Sequence, residues 1–129
     1  MSGRRIVSTP DAPAAIGPYS QAVAVGGLVF VSGQVPINPA TGKIEAGDIE
    51  GQTRQALTNI AAILAAEHLT MKDVVKTTVL LQNMKDFKDM NGVYATFFPK
   101  EPPARAAFQV ARLPLDALVE IEAVAARPE

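Results

Sequence analysis

The sequence predicts an α+β domain built on one mixed β-sheet with two helices packed on one face. Three observations carry that expectation. Two stretches with apolar residues at helical spacing are separated by a β-branched run, Val74 to Leu81. Two apolar runs near the start flank Gly26-Gly27, the dipeptide of a tight hairpin. Two runs near the end, Pro102 to Pro114 and Leu118 to Ala125, alternate with the two-residue period of strands.

Taken in order, Arg4 to Val7 reads as a short first strand, after which Pro10, Pro13 and Pro18 hold residues 8 to 18 extended and loop-like. Ala22 to Val25 and Leu28 to Ser32 are the two arms of the glycine hairpin. Ser32 shares a face with Leu28 and Phe30, and Gly33 lets a ligand or another backbone come close. Pro36, Asn38-Pro39 and Thr41-Gly42 mark a connecting loop. Asp48 caps a helix to about Leu69, with Glu50 in its first turn favoured by the dipole. Its buried stripe is Ala56, Leu57, Ile60, Ala61, Ile63 and Leu64. Thr70 to Asp73 restart the chain into the strand Val74 to Leu81. Asp86 caps a second helix to about Phe98, carrying Phe87, Met90, Val93, Tyr94 and Phe97 at helical spacing. Pro99, Pro102 and Pro103 end it.

The two C-terminal runs read as an antiparallel hairpin about Leu113-Pro114-Leu115-Asp116, pairing Arg112 with Ala117. Ala106, Phe108 and Val110 then share an aliphatic core side with Val119, Ile121, Ala123 and Ala125. Arg105, Ala107, Gln109 and Ala111 share the other with Leu118, Glu120, Glu122 and Val124. In this register Arg105 and Glu120 lie on one side of the sheet, offset by four residues, roughly 13 Å at about 3.3 Å per residue. That is too far to grip one small molecule, so a second chain is expected to supply one of the two groups. The charged side is too apolar to leave wet and too charged for an internal core, which points to subunit association.

A chain of 129 residues is expected to form one domain, 1–129, and to bury roughly two thirds of its unfolded surface. Apolar content of 48% with 19% charged residues is globular, and a net charge of -1 with scattered basic residues gives no nucleic-acid footprint. The absence of cysteine excludes disulfides, thiolate metal sites and a Cys nucleophile, and agrees with a reducing cytoplasm. No membrane segment is expected, because the apolar run Ala22 to Val31 is interrupted by glycines and too short to span a bilayer. Nor is a signal peptide, since the apolar stretch after Arg4-Arg5 ends in Ser8-Thr9-Pro10. His68, the only histidine, falls at a helix C-terminus and reads as structural, so no metal site is expected. Thr41-Gly42-Lys43 lacks the upstream glycine of a phosphate loop, and Ile44 stands where Ser or Thr would bind magnesium; it reads as a turn.

Several spaced motifs resemble the RidA (YjgF) family of enamine/imine deaminases. They are Arg105 through Ala125, with Val110-Ala111-Arg112-Leu113-Pro114 and Val119-Glu120-Ile121-Glu122-Ala123; Gly17-Pro18-Tyr19-Ser20-Gln21-Ala22; Val29-Phe30-Val31-Ser32-Gly33-Gln34; and Phe87 with Asn91-Gly92-Val93-Tyr94. The resemblance covers nearly the whole chain. It implies a chorismate-mutase-like α+β fold, a homotrimer with sites between subunits, and no cofactor. The implied reaction is hydrolysis of 2-aminoacrylate, 2-iminopropanoate and 2-iminobutyrate, released by pyridoxal-phosphate-dependent dehydratases, to 2-ketoacids and ammonia. Carried over by motif, Arg105 holds the substrate carboxylate and Glu120 handles water and proton transfer, while Tyr19, Ser32, Gly33, Phe87 and Asn91 line the pocket. Many deaminating members carry Cys where this chain has Ala107, a change that alters pocket shape and substrate preference.

The chemistry agrees with the residues. A guanidinium binds a carboxylate in bidentate fashion and so places the neighbouring C=N carbon. Water must then add and ammonia leave, which needs one group able to take and return a proton. Glu120, between Val119 and Ile121, is placed to be desolvated; Glu122 shares its face and competes for the role. The alternative function is a non-catalytic trimer that binds small carboxylate metabolites through Arg105.

Overall fold

The structure, a computed structural model, describes residues 3–129. Its strands are β1 (Arg5–Val7), β2 (Ala22–Val25), β3 (Leu28–Gln34), β4 (Ile37–Asn38), β5 (Lys43–Ile44), β6 (Val74–Leu81), β7 (Ala104–Gln109) and β8 (Val119–Ala126). The helices are α1 (Ile49–Ala65) and α2 (Phe87–Phe97). Six strands form one mixed sheet in the order β1-β2-β3-β8-β6-β7, and both helices pack on it, as the α+β expectation requires. The segment read as a plain loop contains the small β4-β5 ribbon, Ile37 opposite Ile44, closed by Gly42 at φ 73. Among the described residues no helix is long and apolar enough to cross a membrane.

Local chemistry accounts for the element boundaries. Gly26 and Gly27 both adopt positive φ, 57 and 82, as the two-residue turn between β2 and β3 demands. Asp48 Oδ1 accepts the Gly51 N–H at 2.9 Å and starts α1. At its other end His68 takes a left-handed φ of 61, which turns the chain toward Leu69. Asp86 makes no side-chain cap to α2; Asn83 begins that turn instead, its Oδ1 accepting from Lys85 N at 2.8 Å. Leu57, Ile60, Ile63 and Leu64 of α1 are wholly buried, and each such side chain contributes about 1.5–3 kcal/mol through burial.

The C-terminal hairpin does not form. β7 pairs with β6 in parallel, Thr77 opposite Arg105 and Leu81 opposite Gln109, so β6, α2 and β7 make a strand-helix-strand crossover. β8 instead runs antiparallel between β3 and β6, with Val79 opposite Ile121 and Leu80 opposite Glu120. The expected pairing of Arg112 with Ala117 is replaced by contacts to the end of β6: Val110 N donates to Leu81 O at 2.9 Å and Gln82 N to Leu118 O at 3.0 Å. A helix between two strands is long enough to carry the chain back to the same sheet edge, and that crossover outweighs the turn at Leu113-Pro114.

This topology reverses one strand's faces and keeps the other's. In β8, Val119, Ile121, Ala123 and Ala125 are buried against the helices as expected. Paired side chains share a face, so Arg105, Ala107 and Gln109 point to the helix side with Thr77, Val79 and Leu81. Phe108, expected in the core, is 49% exposed on the open face. Arg105 and Glu120 consequently stand on opposite faces rather than one. Two strand spacings of about 4.8 Å and three residues of about 3.3 Å separate their Cα atoms by about 14 Å. The open face also presents Ile6, Val25, Leu28 and Phe30, each at least 37% exposed.

Candidate functional site

The candidate residues fall into two groups, one on each face. On the helix side, at the sheet edge, Arg105 Nη1 donates to Asn91 Oδ1 at 2.7 Å. Its guanidinium carbon lies 4.8 Å from the Tyr94 ring centroid and 5.4 Å from that of Phe87. Phe87, Asn91 and Tyr94 sit at i, i+4 and i+7 of α2, so one helical stripe builds the whole seat. Tyr94 was expected only as core. Its spacing from Phe87 and Asn91 is the signal that places it under the arginine as well.

Tyr94 is buried, its hydroxyl sharing a 2.7 Å hydrogen bond with Thr77 Oγ1, and its ring packs on Phe98 with centroids 4.7 Å apart. Burial pushes its phenol above the ordinary value, against the opposing pull of Thr77 and of the Arg105 charge. The ring therefore stays neutral and offers its π face to the cation. Among the described residues Arg105 has no carboxylate partner. Its guanidinium is stacked and oriented by an amide, with donors left for an external anion. Ala107 follows on the same face opposite Val79, half-buried against the core.

On the other face stands Glu120, with Gly33 and Ser32 at the end of β3. A bulge in β3 between Val31 and Gln34 carries Ser32-Gly33 past β8. A Cβ on Gly33 would collide with the Glu120 carboxylate and lie 3.1 Å from its Cδ, so only glycine admits that carboxylate where it sits. Ser32 N donates to Gln21 O at 2.9 Å, and Ser32 Oγ donates to Ser20 O at 2.6 Å. These bonds bring Ser20, and with it Tyr19, to the end of β3. Tyr19 is 54% exposed and helps line an open cavity of about 590 Å³ with Ile6, Val7, Ala12, Ala15 and Pro39.

Desolvation, reinforced by the neighbouring Glu122 carboxylate, raises the Glu120 pKa above its ordinary value. Glu120 is half-buried and Glu122 exposed, which separates two residues that sequence pattern left in competition. Among the described residues no cluster of three or more His, Cys, Asp or Glu is arranged to hold a metal ion.

The chain is similar to known proteins in sequence and in fold. Residues 9–127 match the family model described as endoribonuclease L-PSP. A RutC family protein of Pyrococcus horikoshii is 52% identical over 122 residues, covering 95% of this chain and 97% of that protein. A 2-iminobutanoate/2-iminopropanoate deaminase of Mus musculus is 50% identical over 122 residues, covering 95% and 90%. The crystal structure of E. coli TdcF with bound serine superposes with a TM-score of 0.92 at 46% identity, covering 96% of this chain and 99% of that one.

Proposed function

This chain belongs to the endoribonuclease L-PSP family, also called YjgF/RidA, and from that premise we propose that it is a hydrolytic deaminase of small 2-imino and 2-enamino acids. The observation that carries the proposal is Arg105: a guanidinium with no carboxylate partner among the described residues, held on two aromatic faces with donors to spare. Such a group takes the carboxylate of 2-iminobutyrate, 2-iminopropanoate or 2-aminoacrylate in bidentate fashion. The enamine first takes a proton on carbon and gives one up from nitrogen to solvent, becoming the imine. Water then adds to the C=N carbon, one proton passing to Glu120 and one reaching the nitrogen. Glu120 returns its proton to the nitrogen, the C–N bond breaks, ammonia departs, and a 2-ketoacid remains. The imine is already electrophilic, so positioning and one proton carrier suffice.

Arg105 and Glu120 of one chain face away from each other, so the proposal includes a homotrimer in which Arg105 of one copy meets Glu120 of the next. The exposed Phe30, Leu28, Ile6, Val25 and Phe108 on the open face support such an assembly. A second reading, a trimer that binds small carboxylates without turning them over, is favoured by the serine bound to TdcF and leaves Glu120 idle.

The test generates 2-iminobutyrate or 2-aminoacrylate with a dehydratase and follows ketoacid release with and without this protein. Acceleration that disappears in both Arg105→Ala and Glu120→Ala supports the deaminase. Saturable binding of 2-ketobutyrate or serine with no acceleration selects the second reading. A monomer in solution would remove the shared site from both.

A further inference from the structure

Residues 8–20 form the least regular stretch near the candidate site. Pro10, Pro13 and Pro18 bring no N–H, and Gly17 turns the chain at φ 125. A stretch of this kind keeps its place only if something outside it satisfies its backbone. Here that role falls to Gln21, which is 5% exposed and stands immediately before β2.

The Gln21 side chain uses both ends of its amide. Oε1 accepts from Thr9 N at 2.7 Å, while Nε2 donates to Pro13 O at 2.8 Å, Thr9 O at 3.1 Å and Ala12 O at 3.3 Å. Its own carbonyl accepts from Ser32 N. One residue therefore ties the outer loop on one side and the end of β3 on the other, with Ser32 Oγ adding the bond to Ser20 O. The segment so held carries Tyr19 and walls the 590 Å³ cavity.

We infer that Gln21 is a positioning residue: its buried amide sets the place of the 8–20 loop, and through it the place of Tyr19, whose neighbour Ser20 is bonded to Ser32 at the end of β3. It need not touch substrate. The role requires a neutral amide, because the site presents one donor and three carbonyl acceptors. A methionine of similar shape satisfies none of them. A glutamate of equal size keeps the bond from Thr9 N but turns a carboxylate oxygen toward three carbonyls.

The kinetic part of this inference rests on the deaminase reading, whereas the anchoring part does not. The experiment compares Gln21→Met and Gln21→Glu with the unaltered protein by hydrogen exchange at the Thr9 amide and by steady-state ketoacid release. Loss of Thr9 protection in Gln21→Met is expected, with KM raised about ten-fold and kcat within about three-fold, the pattern of displaced binding groups. Gln21→Glu, the closer isostere, is expected to raise KM similarly while keeping Thr9 protected, and it stands in should the methionine variant not fold. An unchanged KM in a folded variant overturns the inference. So does full Thr9 protection in Gln21→Met. If the unaltered protein shows no turnover, the deaminase reading fails and exchange alone judges the anchoring.

Discussion

Glu67 and Glu120 are both shielded from water, yet the fold gives them opposite company. Glu67, just past α1, is buried and receives Arg5 Nη1 at 3.0 Å and Nη2 at 2.7 Å, with Arg127 Nη2 at 2.5 Å on the same carboxylate. The Arg5 hydrogen bonds hold its pKa below the ordinary range despite burial, and the charges of Arg5, Arg127 and His68 act the same way. The cluster binds the first strand and the segment after the last strand to the end of α1. Among the described residues Glu120 has no ion-pair partner; burial and Glu122 raise its pKa instead. The arginines divide likewise, Arg5 and Arg127 on a carboxylate and Arg105 on aromatic rings. A charge neutralised inside the chain stabilises the fold, whereas a charge left without its counterpart is available to a ligand.

The sharpest break of this contrast is Arg105→Ala. With the proposed carboxylate receptor removed, kcat/KM for ketoacid release is expected to fall about 10³-fold, the cost of truncating one partner of a charge-assisted pair. Thermal stability should hardly move, since Arg105 is exposed and makes no ion pair among the described residues. Equal loss of stability and activity would place it with Arg5 and Arg127. Glu120→Gln comes next: kcat should drop about 10²-fold with KM little changed, the size of a lost proton-transfer group.

The same variant has a pH signature. A carboxyl whose folded pKa lies above its unfolded value binds protons more readily in the folded state, so Glu120 costs stability at neutral pH. That cost shrinks as pH falls through the folded pKa and vanishes below the unfolded one. Glu120→Gln should therefore raise the melting temperature at pH 7 and leave it unchanged near pH 3. Glu67 carries the opposite sign. Its depressed pKa contributes stability above the unfolded value, about 4.3, that is lost as pH falls toward the folded one. Glu67→Gln is expected to cost about 2 kcal/mol at pH 7 in a denaturant titration, less than a fully buried pair because both arginines reach solvent. That cost should narrow in acid. Parallel pH profiles for the two variants would collapse the distinction.

Gly33→Ala is the mildest probe. Its Cβ displaces only the flexible end of Glu120, so kcat should fall about ten-fold with little loss of stability. In a Glu120→Gln background the same change should do almost nothing further, because both act through one carboxylate. Additive effects would separate Gly33 from Glu120.

How far the sequence could be read differs between neighbouring strands. The buried set of β8 and the bounds of β6 follow from alternation and β-branching alone. The faces of β7 came out reversed, because its neighbour is β6 in parallel rather than β8 in a hairpin. The strand-helix-strand order around α2 was the signal for that crossover, and the turn at Leu113-Pro114 masked it. Phe87 and Asn91, one helical turn apart, could be placed together from spacing, and Tyr94 follows by the same rule. Gln21 could not, since its four partners lie in a loop without periodicity.

Residue type and period alone determined the main strands and helices, the hairpin at Gly26-Gly27 and the helix start at Asp48. These are properties of short stretches, set by steric limits on φ and by which side chains can share one face. Strand neighbours, the opposition of Arg105 to Glu120 across the sheet, and the contrary pKa directions of Glu67 and Glu120 were decided only by tertiary structure. Each depends on which distant groups are brought within a few ångströms. Alternation along one strand carries no information about the strand beside it.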